Sequence, residues 1–105
     1  KEYRRQRQMC IRDRVWKVAY SAFFNTQLDW VLRRGGVSSV VIAGIVTNGG
    51  VASTARDAHM RDYHVTVLAD GCAASTPAMH DAALADLRTV ADIATCQDFL
   101  GRLSS

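Results

Sequence analysis

Few groups in this chain of 105 residues are equipped for chemistry. They are Lys17, three cysteines, three histidines and the polar turn Thr47-Asn48-Gly49-Gly50. The turn sits between an apolar, β-branched run (Val40-Val41-Ile42-Ala43-Gly44-Ile45-Val46) and a helical pattern with Val51, Thr54, Ala55 and Ala58 on one face. Such a strand–turn–helix elbow puts backbone N–H groups and a helix N-terminus at a sheet edge, where they can receive a carbonyl or an anion. Cys10, Cys72 and Cys96 have no C-x-x-C spacing and are odd in number, so they read as reduced thiols rather than a disulfide framework or a zinc site. His59, His64 and His80 show no metal-ligand spacing on one face, and H-E-x-x-H is missing, so no metal is expected. Ser53 has no adjacent base. Lys17, taken alone, is an ordinary solvated charge.

The elements that must position these groups alternate. Val15–Val18 reads as a short strand or the end of one. Thr26 is the expected N-cap of a helix whose apolar face is Leu28, Val31 and Leu32, ending at Gly35-Gly36. Val37–Ala43 is the next strand, Gly50–Asp62 a helix and Val65–Ala69 a strand. Ser75 or Thr76 caps a helix with Pro77 in its first turn, and Met79, Ala82, Ala83, Leu84, Leu87 and Val90 supply its buried side. Asp92–Thr95 and Gln97–Leu103 are the last strand and helix. This alternation predicts βαβ units, a parallel sheet and right-handed crossovers with helices on both faces, an α/β/α architecture.

Composition narrows the function classes. Six of the 13 Lys/Arg fall in residues 1–14 against Glu2 and Asp13, a charge of +4, which leaves the other 91 residues at −1. The body therefore has no basic stripe, and no aromatics interleave the arginines of the arm, which argues against nucleic-acid binding. No apolar run approaches the ~20 residues that span a bilayer, so no membrane partner is expected. The N-terminus lacks the apolar stretch of a secretory signal, and the expected setting is cytoplasmic. Residues 1–14 differ in character from the rest of the chain, with charge concentrated and no apolar periodicity. Met9-Cys10-Ile11-Arg12-Asp13-Arg14 resembles the translation of a transposon-end sequencing adapter, so 1–14 is read as a non-native, artefactual arm and 15–105 as the domain.

Two stretches carry a family resemblance. Gly44-Ile45-Val46-Thr47-Asn48-Gly49-Gly50-Val51 resembles the nucleophile turn Gly-x-x-Thr-Asn-x-Cys-Val of the isochorismatase-like cysteine hydrolases. Lys17-Val18-Ala19-Tyr20-Ser21-Ala22-Phe23-Phe24-Asn25-Thr26 resembles their Lys-x-x-Tyr-Ser-x-Phe-x-x-Thr signature, in the wording and spacing of the ureidoacrylate amidohydrolase type. The resemblance covers residues 15 to about 100 and implies the C-terminal part of a three-layer, Rossmann-like domain whose N-terminal strands precede residue 1. It implies C–N hydrolysis of a small amide or ureido substrate by a Cys-Lys-Asp triad without a cofactor. Lys17 takes the lysine position, and its charge favours a thiolate. Gly50 takes the position of the cysteine, and the aspartate has no candidate, so the chain as written is expected to be inactive.

Further roles are implied by the same resemblance. The N–H groups of Val46 and Gly50 form the oxyanion hole, with a cis peptide at Ile45–Val46. Tyr20, Phe23, Phe24 and Asn48 are assigned to the substrate pocket, and Asn48 is also expected to hold the elbow. His80 is read as structural, and Arg56 and Asp57 as structural partners of Asp70 or Tyr63. A homo-oligomer is implied. The alternative is a non-catalytic pseudoenzyme that binds a small carbonyl compound or a protein partner. A phosphate or nucleotide binder is disfavoured because neither G-x-G-x-x-G nor G-x-x-x-x-G-K-[ST] is present.

Overall fold

The structure is a computed structural model that describes residues 15–104. The expectation for the arm at 1–14 falls outside the described residues. Helix α1 (Leu28–Arg34) is followed by strand β1 (Ser39–Ile45), a π-helical turn (Thr47–Val51) and helix α2 (Ala52–Met60). Strand β2 (His64–Ala73), helix α3 (Pro77–Leu87), strand β3 (Asp92–Ala94) and helix α4 (Cys96–Ser104) complete the order. The three strands form a parallel sheet in the order β1-β2-β3. The expected α/β, Rossmann-like class is what is found.

Register explains how β1 delivers the elbow. Ser39 to Ile42 pair with His64 to Val67 in step, and then Gly44 pairs with Cys72 and Ile45 with Ala73. Between those pairs β1 has the single residue Ala43 and β2 has the four residues 68–71. Gly44 lies at this break with φ +132°, a conformation that a side chain would strain. On one face Val65 and Val67 of β2 pack with Ala55 and Ala58 of α2, Leu84 and Leu87 of α3, and Phe23 and Tyr63. The small Ala55 and Ala58, both fully buried, let α2 approach the sheet closely. On the opposite face Val41, Ala43 and Ile45 of β1 are exposed.

Several sequence expectations shift. Val15–Val18 is not a strand: Trp16 and Val18 are each 67% exposed, and β1 pairs only with β2 among the described residues. A strand needs a neighbour for its N–H and C=O groups, and this segment has none among the described residues. The cap of α1 is Gln27 rather than Thr26, although Thr26 Oγ1 still accepts from Leu28 N at 3.2 Å while donating to Ala22 O at 2.6 Å. Of the two candidates for α3, Thr76 is the cap, and it accepts from Met79 N at 3.2 Å. The helix expected from Gly50 starts as a π-turn and becomes regular only at Ala52.

Candidate functional site

The site forms where the C-terminal end of β1 bends into α2. Ile45–Val46 is a cis peptide, as the resemblance implied. Val46 O then accepts from both Gly49 N (3.0 Å) and Val51 N (3.2 Å), which closes the bend. Thr47 anchors it. Its side chain is fully buried, and Oγ1 shares a hydrogen bond of 2.7 Å with His80 Nδ1 on α3. The sequence reading gave the task of holding the elbow to Asn48. Asn48 is exposed and its side chain makes no hydrogen bond among the described residues, so the neighbouring Thr47 holds the bend instead.

Lys17 reaches this bend along an irregular segment. Ala22 N donates to Thr54 Oγ1 of α2 at 3.0 Å, Phe23 N to Ser21 Oγ at 3.1 Å, and Phe24 N to Ser21 O at 3.3 Å. Phe23, 4% exposed, pins the segment by stacking on Tyr63 with centroids 5.8 Å apart. Tyr63 is itself fixed, its hydroxyl donating to Asp29 Oδ1 at 2.6 Å, and burial first and that bond second push its ionisation upward. Held at residues 21–24, the segment brings Lys17 and Tyr20 over Gly50. A Cβ added to Gly50 would lie 3.7 Å from Lys17 Nζ, 3.3 Å from Tyr20 O and 3.5 Å from Ile45 O. The φ of Gly50 is outside the left-handed region, so the backbone does not require glycine there.

A cavity of about 360 Å³ opens on this point, lined by Lys17, Phe23, Leu28, Leu32, Ile42 and Gly50 among others. Phe23 thus lies in its wall. Tyr20 and Phe24 instead expose their rings, at 73% and 61%, and Tyr20 comes to the site through its carbonyl oxygen. Asn48 lines a different cleft, together with Ser53, Arg56 and Asp86. Val46 and Gly50 both lie at the bend. The partners of Arg56 and Asp57 were misassigned: Arg56 pairs with Asp86 across to α3, and Asp57 with Arg61 one turn on, at 3.4 Å. Asp70 is engaged elsewhere, accepting from Cys96 N at 2.8 Å where α4 begins. Thr54 was read only as part of an apolar face. Its position one turn beyond the elbow was the available sign that its hydroxyl serves the neighbouring segment.

Among the described residues the two thiols, Cys72 and Cys96, are both unactivated. Burial raises the Cys72 thiol above its ordinary range. The Cys96 thiol is raised chiefly by its hydrogen bond to the Asp70 carboxylate, which is correspondingly held below the usual carboxylate range. Both stay protonated at neutral pH and are poor nucleophiles. Iodoacetamide at pH 7 is expected to modify both more slowly than a peptide cysteine, and Asp70→Asn to speed Cys96 roughly threefold or more. Unchanged Cys96 labelling in Asp70→Asn would remove the carboxylate as the cause. Among the described residues no group of three His, Cys, Asp or Glu could hold a metal ion, and no helix is long and apolar enough to cross a membrane.

The model of the isochorismatase domain matches residues 2–98, a span that begins within the basic segment and takes in both the Lys17 stretch and the elbow. The chain belongs to the isochorismatase family. It is similar to the ureidoacrylate amidohydrolase RutB of Methylobacterium radiotolerans, 44% identical over 90 residues that cover 81% of this chain and 35% of the relative. It is also similar to a probable inactive nicotinamidase of Arabidopsis thaliana, 40% identical over 78 residues, covering 73% of this chain and 40% of that protein. Among solved structures, an isochorismatase-like hydrolase from Alkaliphilus metalliredigens superposes with a TM-score of 0.84 at 36% identity, over 87% of this chain and 51% of that one. The chain thus spans between about a third and a half of the length of these relatives.

Proposed function

We propose that residues 15–105 form the C-terminal part of one amidohydrolase domain, of the type that cleaves a C–N bond in a small amide or ureido compound. Its full machinery is a cysteine at position 50, Lys17 beside it, and a carboxylate supplied from elsewhere in the domain. In this reading the Lys17 ammonium favours the thiolate, the thiolate attacks the carbonyl carbon, and the N–H groups of Val46 and Gly50 receive the developing oxyanion. The carboxylate carries the proton to the departing nitrogen, and water then releases the acyl group. With glycine at position 50 the chain has no atom to attack with, and it is inactive as written. The reading includes self-association, supported by the apolar surface at Trp16, Val18, Tyr20 and Ile45, and a cytoplasmic setting.

One observation carries this proposal: the 3.7 Å between Lys17 Nζ and a Cβ on Gly50, across 33 positions of sequence, in a chain 44% identical to an amidohydrolase. The test is a complete domain, with this chain as its C-terminal part, carrying Gly50→Cys. Turnover of ureido or amide compounds is expected from that variant and not from the glycine form. Silence of a correctly folded variant across a panel of small amides and carbamoyl compounds would count against it.

A second reading is favoured by the open cavity beside Gly50. The absent side chain leaves Lys17 facing free volume, which suits a pseudoenzyme that binds a small carbonyl compound without reacting.

A further inference from the structure

Lys17 reaches position 50 along a segment that is neither strand nor helix, so its place over the bend depends on what ties that segment down. Among the described residues one hydrogen bond joins the segment to α2: Ala22 N donates to Thr54 Oγ1 at 3.0 Å. The bonds from Phe23 N and Phe24 N to Ser21 stiffen the segment but attach it to no other element. A second tie is the stack of Phe23 on Tyr63, with the Arg61 guanidinium over the Phe23 ring at 5.1 Å. Arg61 and Tyr63 lie beyond the C-terminal end of α2, whose nine residues span about 13 Å. Thr54 lies one turn beyond Gly50 and lines the same cavity as Lys17. The stack therefore holds the segment far from position 50, and the Thr54 hydroxyl holds it near.

We propose that Thr54 is a positioning residue: by accepting from Ala22 N it sets the separation between the Lys17 ammonium and the side chain at position 50. The inference rests on the first reading above, in which Lys17 acts on a cysteine there. Thr54→Val keeps the shape of the side chain but removes the acceptor, and the half-buried Ala22 N–H must then move to find another partner. Thr54→Ser keeps the acceptor. A Coulomb energy halves when the separation doubles, so a displacement of a few ångströms removes about half of the coupling.

The test uses the 105-residue chain carrying Gly50→Cys, with the pH profile of alkylation of the introduced thiol read by mass spectrometry of its peptide. Thr54→Val is expected to raise the midpoint of that profile by about half the rise that Lys17→Met gives, and Thr54→Ser to leave it in place. With Lys17→Met already present, Thr54→Val is expected to change nothing, because no ammonium is left to place. The Ala22 amide is expected to lose protection from hydrogen exchange in Thr54→Val and to keep it in Thr54→Ser. An unchanged midpoint in Thr54→Val, an equal shift with and without Lys17, Thr54→Ser behaving like Thr54→Val, or an Ala22 amide that stays protected in Thr54→Val overturns the proposal. If Lys17→Met itself leaves the midpoint where it was, the reading that pairs Lys17 with position 50 fails and takes the inference with it. If Lys17→Met moves the midpoint and Thr54→Val does not, the inference fails alone.

Discussion

In the Gly50→Cys variant of this chain, the new thiol is expected to be alkylated at pH 7 at least about tenfold faster than Cys72 or Cys96. The reasons are electrostatic and local. Cys72 is buried and Cys96 bonds a carboxylate, and both conditions favour the neutral thiol. The new Cβ would stand 3.7 Å from Lys17 Nζ in a half-buried niche. A unit charge at that range contributes on the order of 1 kcal/mol in water and more where solvent is partly excluded. Each 1.4 kcal/mol is about a factor of ten in thiolate population, which sets the size of the effect. The change should be tolerated. The contact of 3.3 Å with Tyr20 O is tight, but Tyr20 lies in an irregular segment free to give by a few tenths of an ångström. Mass spectrometry of each peptide against time reads the new thiol, Cys72 and Cys96 in one sample, with Cys10 resolved as a separate peptide. Labelling no faster than at Cys72 would mean that the niche does not activate sulfur.

Leu87→Ala is expected to cost about 3 kcal/mol of stability, near the middle of the range for a fully buried leucine. Leu87 is completely shielded, and it and Leu84 are the buried residues of α3. The truncated side chain leaves a void between α3 and the sheet that the neighbouring Val65 and Val67, stiff at χ1, cannot fill. The loss reaches the site, because α3 carries His80, the partner of Thr47. A urea titration should show the midpoint falling with an unchanged slope. A loss below about 1 kcal/mol would mean that α3 is not clamped as described.

How much of this was legible in sequence differs from element to element. The elbow was readable because its signals are local: a β-branched run, a polar turn, then small residues at helical spacing. The path of residues 15–27 was not. Val15, Trp16 and Val18 read as strand, yet strand formation depends on a partner, and no local pattern reports one. Lys17 was placed at the bend only through the wording of its signature; nothing in its own surroundings distinguishes it from a surface lysine. Side-chain partners were the least readable feature. Arg56–Asp86 and Asp70–Cys96 join residues 30 and 26 apart, and depend on how α3 and α4 lie against the sheet. The choice between Thr47 and Asn48 turned on which of two adjacent residues faces inward. In a π-turn neither the period of a strand nor that of a helix answers that.

If Lys17 and position 50 form one chemical unit, the coupling between them can be measured. The thiol introduced by Gly50→Cys is titrated by thiolate absorbance as the difference from the glycine form, with Lys17 present and again with Lys17→Met. A midpoint below the ordinary thiol range is expected in the first case, rising by about one unit when the ammonium is removed. A midpoint that stays the same in both would show that the two positions do not act together.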